Sequence, residues 1–100
     1  MNKKSRQKLC AHITDLFRFY QDIAWCDHWI METQDLELIS ALKMVKDIYA
    51  KDPDAVGHYH NAKEKLAKGQ FRSELEREVL EAFRNAAGLI LEEAEYKSQK

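Results

Sequence analysis

The sequence predicts an all-α protein: an antiparallel bundle of four helices, with a short or tilted third helix and frayed termini. Three observations predict it. One proline and three glycines in 100 residues are too few for the tight turns of an all-β fold. Apolar residues recur at the helical spacing of three and four almost throughout. No repeat, low-complexity tract or long linker divides the chain, and its length suits one domain spanning 1–100.

The first helix is expected from about Ser5 to His28, with Ser5 a candidate N-cap. Leu9, Ile13, Leu16, Tyr20 and Ile23 follow a 4-3-4-3 spacing, and Phe17 and Ala24 widen that seam. The second is expected from Gln34 to Lys51, capped by Thr33, with Asp35 and Glu37 suiting its positive end. Its inner face would be Leu38, Ala41, Leu42, Val45, Ile48 and Tyr49. Asp52 precedes Pro53 and is therefore disfavoured in helical conformation, and Pro53 suits the first turn of a third helix. That helix, Pro53 to Lys68, carries a thin stripe of Ala55, Tyr59, Ala62 and Leu66, and Gly57 weakens it by ~1 kcal/mol relative to alanine. Gly69 is its natural stop. "SELE" then opens a fourth helix, 74–96: Ser73 and Glu76 have the spacing of a capping box. Its buried stripe would be Leu75, Val79, Ala82, Phe83, Ala86 and Ile90. Glu93 falls at the centre of that stripe, so the helix is expected to leave the core there.

Charge and cysteine content narrow the function classes. Sixteen basic and 17 acidic residues give a net charge of −1, which leaves no global basic field to attract nucleic acid. The start is locally basic, with Lys3, Lys4, Arg6 and Lys8. These read as a solvated tail, or as a contact with an anionic membrane surface or a nucleic acid. No apolar run approaches the ~20 residues that span a bilayer. Asp15, Arg18 and Asp22 interrupt any signal-peptide core. The expected compartment is the cytoplasm, where two cysteines are free thiols.

The segment "CAHITDLFRFYQDIAWCDH" contains Cys-x-His twice. On one straight helix Cys10 and Cys26 would lie ~24 Å apart, beyond any shared metal or disulfide, unless the helix breaks. His58 and His60 stand at i,i+2, whereas helical ligand pairs take i,i+3 or i,i+4. The stripe assigns His60 to the partly buried side and His58 to the solvent side. No Glu-x-x-His, phosphate loop or nucleophile elbow occurs. The expectation is a non-enzymatic protein without metal or cofactor. The acids of the last helix alternate with Arg72, Arg77 and Arg84 as a solvated, ion-paired face.

Trp25 and Trp29 resist a purely structural account. If the first helix continues through them, they form an exposed aromatic pair on its polar face. If it ends near Ala24, they fold back over the bundle end. Trp is the residue type most enriched at binding hot spots. The candidate partner-contact residues are Trp25, Trp29, His58, Tyr59 and His60.

In the second half of the chain, "LELISALKMVKDIY" is followed by a polar helix and then by "GQFRSELEREVLEAFRNAAGLI", with Phe71, Ser73, Leu75, Leu80 and Gly88 in the last stretch. At those positions the chain resembles the small cytoplasmic immunity proteins that protect bacteria from their own class II bacteriocins. The resemblance implies a four-helix bundle acting at a receptor–bacteriocin complex inside the producing cell. Two tryptophans and two cysteines in the first half, and no strongly basic surface, depart from it. The alternatives are a phage or mobile-element protein blocking a host factor, a nucleic-acid-associated accessory factor using the basic start, and a small helical enzyme. A homo-oligomer is compatible with all of these.

Overall fold

A computed structural model describes residues 3–52 and 54–98. The described residues form five helices: α1 (Lys3–Tyr20), α2 (Ala24–Glu32), α3 (Leu36–Lys51), α4 (Ala55–Lys68) and α5 (Glu74–Ser98). No strand occurs among the described residues. The last three follow the expected boundaries closely. The expected first helix does not: it is two helices, broken at residues 21–23.

The break centres on Gln21, which has φ +55. A left-handed residue ends a helix by turning its backbone away from the axis, and a side chain there costs ~1–2 kcal/mol that glycine would not. The Gln21 amide still donates to the Phe17 carbonyl at 2.7 Å, closing the last turn of α1. Asp22 then accepts from the Ala24 amide through its carboxylate (3.2 Å) and from the Trp25 indole through its carbonyl (2.8 Å). α2 therefore starts in a new direction and packs against α3, with Trp29 reaching back onto His12 of α1.

This reversal changes the topology. Thr14 on α1 donates to the Ala82 carbonyl on α5 (3.2 Å), and further along both helices Arg18 donates to Glu93 (2.5 Å). Residue numbers rise together, so α1 and α5 lie side by side in the same direction. An up-down-up-down bundle of four would have set its first and last helices antiparallel. The returning α2 adds one more direction change, and the chain alternates through five helices instead.

The core sits where α1, α3, α4 and α5 meet. Ile13 and Phe17 of α1, Leu38, Ala41, Leu42, Val45 and Ile48 of α3, and Leu75, Val79, Ala82, Phe83 and Ala86 of α5 are buried, with Cys26 the buried contribution of α2. The α3 stripe is the one the periodicity predicts; in α5, Leu80 and Ala87 are buried as well and Ile90 is only half-buried, so the buried face is wider than expected. The α1 stripe is corrected: Ile13 and Phe17 carry the core contact, while Leu16 is only half-buried and Tyr20 is 58% exposed. The radius of gyration is 13.3 Å, as expected of a packed chain of this length.

The caps also differ from expectation. α1 already includes Lys3, so Ser5 lies within its first turns and is not its N-cap; the basic start is helical, not a tail. Asp35, not Thr33, caps α3, accepting from the amides of Glu37 and Leu38 at 3.0 and 3.2 Å. Thr33 instead ends α2 and accepts from the Asp35 amide at 3.1 Å. Pro53 lies outside the described residues. Asp54 caps α4, accepting from the Gly57 amide at 3.0 Å. A Cβ on Gly57 would overlap the Asp52 carboxyl group, which also accepts from Asn61 at 2.9 Å. Close approach therefore explains this helical glycine. Gly69, at φ +66, ends α4 with its own amide bonded to Leu66 and the Gln70 amide bonded to Lys65, a Schellman pattern. Ser73 accepts from the Glu76 amide at 3.2 Å, but the Glu76 carboxyl passes over Ser73 and takes the Arg72 amide instead.

Gln21→Gly tests the break by its sign. Glycine relieves the left-handed strain and should raise the unfolding free energy by ~1 kcal/mol in urea titration. In a continuous helix the same change would lower it by ~1 kcal/mol.

Candidate functional site

The reversal at Gln21 determines where the tryptophans go. Both are half-buried and pack against the core, so they do not form the free-standing pair that a continuous helix would display. Trp29 stacks on His12, with centroids 5.2 Å apart and planes at 29°. Trp25 meets Trp29 edge-on at 5.6 Å. Each ring thus keeps one face on protein and leaves part of its surface to solvent.

His12 continues this stack into a shallow groove of ≈ 710 Å³, where it is joined by Leu16, Phe19, Tyr20 and the Arg18–Glu93 ion pair. The exposure here is unusual. Phe19 is 80% and Tyr20 58% solvent-exposed, and the two rings meet at 5.0 Å in a T-shaped pair. Met31, at the far end of α2, is 86% exposed. The α1–α2 side therefore carries Trp25, Trp29, His12, Leu16, Phe19 and Tyr20 in one run. The sequence pattern concealed Phe19 and Tyr20, because an unbroken helix assigns Tyr20 to the buried seam.

The second expected group lies elsewhere and is rearranged. His58, expected on the solvent side of α4, is only 3% exposed. It stands three residues after Ala55 and four before Ala62, which places it on the buried stripe itself. Its ring stacks on Tyr49 at 4.8 Å and contacts Phe17 and Phe83 at 5.9 and 5.8 Å. Its Nε2 is 2.9 Å from the Asp52 carbonyl, which ties α4 to the end of α3, while Nδ1 is buried without a partner. His58 is therefore a corner latch, unable to touch a partner without unfolding. His60, expected partly buried, is exposed. Tyr59 lies against Gly88, where a Cβ would stand 3.4 Å from its ring, and Lys63 Nζ lies 5.9 Å from the ring centroid. Tyr59 and His60 therefore belong to the α4–α5 side and do not join the tryptophans.

The cysteines are held as protonated thiols. Burial, reinforced by the carboxylates of Glu78 and Glu81, pushes the Cys10 thiol up to about 11. Burial, with Asp27 adding to it, pushes Cys26 up to about 12. Both are free, and a thiol held protonated at neutral pH is a poor nucleophile. No cluster of three His, Cys, Asp or Glu side chains able to hold a metal ion occurs among the described residues. No helix among them is long and apolar enough to cross a membrane.

A second groove, of ≈ 730 Å³, runs between α3 and the α4–α5 corner. Ile39, Met44 and Phe71 are apolar parts of its lining, and Lys43, Lys51, Lys65 and Arg72 supply its charge. No protein-family model, curated protein or solved structure matches the chain.

Because Trp29 is half-buried against His12, Trp29→Ala should cost ~1–3 kcal/mol in denaturant titration, less than a fully buried aromatic and more than a surface one. Trp29→Phe should recover most of the loss. A change within ~0.5 kcal/mol would place the indole in solvent, away from α1.

Proposed function

We propose that this chain is a non-enzymatic protein-binding protein, and most concretely a small cytoplasmic immunity or inhibitor protein, whose contact face is the α1–α2 aromatic run. One observation carries the reading: Phe19 and Tyr20 are exposed and meet edge to face in a groove that shares His12 with the Trp25–Trp29 pair. Keeping such rings in water forgoes ~1.5–3 kcal/mol for the phenylalanine alone, and contiguous exposed apolar surface marks interaction sites. Tryptophan and tyrosine are also favoured where binding energy concentrates. His58 is withdrawn from the contact set, since it is buried. The sequence resemblance to class II bacteriocin immunity proteins supplies the concrete form. The same face would serve a phage or mobile-element protein that blocks a host factor.

The reading is tested by expressing the chain in bacteria sensitive to a panel of class II bacteriocins. Survival should rise for at least one member of the panel, and Phe19→Ser and Trp25→Ala should abolish it while helical circular dichroism is unchanged. Sensitivity to every member would remove the immunity form. Protection unaffected by Phe19→Ser and Trp25→Ala would move the contact face elsewhere.

A further inference from the structure

The groove between α3 and the α4–α5 corner is a different surface from the aromatic face, and its chemistry selects a different occupant. We propose that it docks an acidic amphipathic helix of a partner protein, with apolar side chains on Ile39, Met44 and Phe71 and carboxylates on the lysines at its two ends.

Charge complementarity makes the first part of the argument. Lys43, Lys51, Lys65 and Arg72 all line the groove. Their cationic groups have no ion-pair partner among the described residues, whereas Arg18, Lys46, Lys68 and Arg77 are each held by a carboxylate. Two carboxyl groups share the lining, Asp47 and Glu76. Glu76 is only 2% exposed and is committed internally, accepting from the Ser40 hydroxyl at 2.6 Å and from the Arg72 amide. The free charge presented to a ligand is therefore positive.

Shape and rigidity make the second part. Lys43 and Lys51 are eight residues apart on α3, about 12 Å along its axis, with Met44 and Asp47 between them. The opposite wall is the last turn of α4 and the loop after it. That loop is fixed by the Gly69 cap and by Glu76 gripping the Arg72 amide. The walls are thus set before binding, which reduces the ordering cost of docking. A helix-in-groove ligand reads as apolar anchors on one face. Here that face must be flanked by Asp or Glu two turns apart, to match Lys43 and Lys51. A nucleic acid fits less well, because Ile39, Met44 and Phe71 offer nothing to a phosphate backbone and Asp47 repels it.

The probe is a synthetic helical peptide of about fifteen residues, with leucines along one face flanked by glutamates two turns apart, titrated into isotopically labelled protein. Amide shifts should concentrate at Ile39, Met44 and Phe71 and weaken as salt is added. The double substitution Lys43→Glu, Lys51→Glu should weaken binding by about tenfold or more. A peptide with lysines in place of the glutamates should restore it on that variant only. Lys43 and Lys51 both lie on the exposed side of α3, so unchanged circular dichroism verifies the fold. Equal binding of both peptides to the unaltered protein, shifts confined to α1 and α2, or tighter binding of a short DNA duplex in the same groove would each overturn the proposal.

Discussion

The left-handed backbone at Gln21 is the constraint on which the rest of this structure depends. It stops α1 after Tyr20, turns the chain through Asp22 and Ile23, and sends α2 against α3 with Trp29 folded back onto His12 of α1. The strain of ~1–2 kcal/mol at a non-glycine residue is offset by what the reversal buries. Cys26 enters the core completely, and Ile23, Trp25, Trp29 and Ile30 pack against its edge. Tyr49 reaches the Gln21 carbonyl from α3 at 3.4 Å, and Lys46 of α3 pairs with Asp27 of α2. Two tertiary ties from α3 therefore hold the reversed segment in place.

The same turn decides which aromatic rings become structural and which remain at the surface. Phe17, one turn before the break, meets Phe83 at 4.7 Å and joins Tyr49 and His58 in the centre of the molecule. Phe19 and Tyr20, at the break itself, have no helix above them and stay in water. An unbroken helix would have carried the tryptophans beyond the bundle and left His12 without its stacking partner. The candidate contact face is thus a product of the reversal, and the basic groove, built by α3, α4 and the loop before α5, is not.

Much of this was legible in the sequence. The α3 stripe was readable because the helix buries one continuous face from Leu38 to Ile48, and most of the α5 stripe was readable too, although Leu80 and Ala87 widen it beyond the single seam that periodicity marks. Gly69 and Ser73 were readable because their roles are local. The break was not, since Gln21 carries neither the glycine nor the proline that normally marks one, and the apolar seam runs through Ile23 without a gap. The local sign was Asp22, an acceptor placed to start a helix at Ala24. His58 was misplaced because the stripe of α4 is thin, and three aromatic neighbours from α1, α3 and α5 decide its burial. Glu76 was legible as a cap but not as a buried side chain, because Ser40 comes from a helix 36 residues away in sequence. The cationic groove was invisible for the same reason: its four charges come from three separate segments.

The contact between His12 and Trp29 tests the central claim most directly, since it exists only if α2 turns back on α1. Nuclear Overhauser measurements should show cross-peaks between the His12 imidazole and Trp29 indole protons, whose ring centroids lie 5.2 Å apart. In a continuous helix the two residues would stand about 25 Å apart. Cross-peaks between those rings are the result this structure requires. Their absence, together with uninterrupted helical amide contacts through residues 20–24, would contradict the reversal and the aromatic face that depends on it.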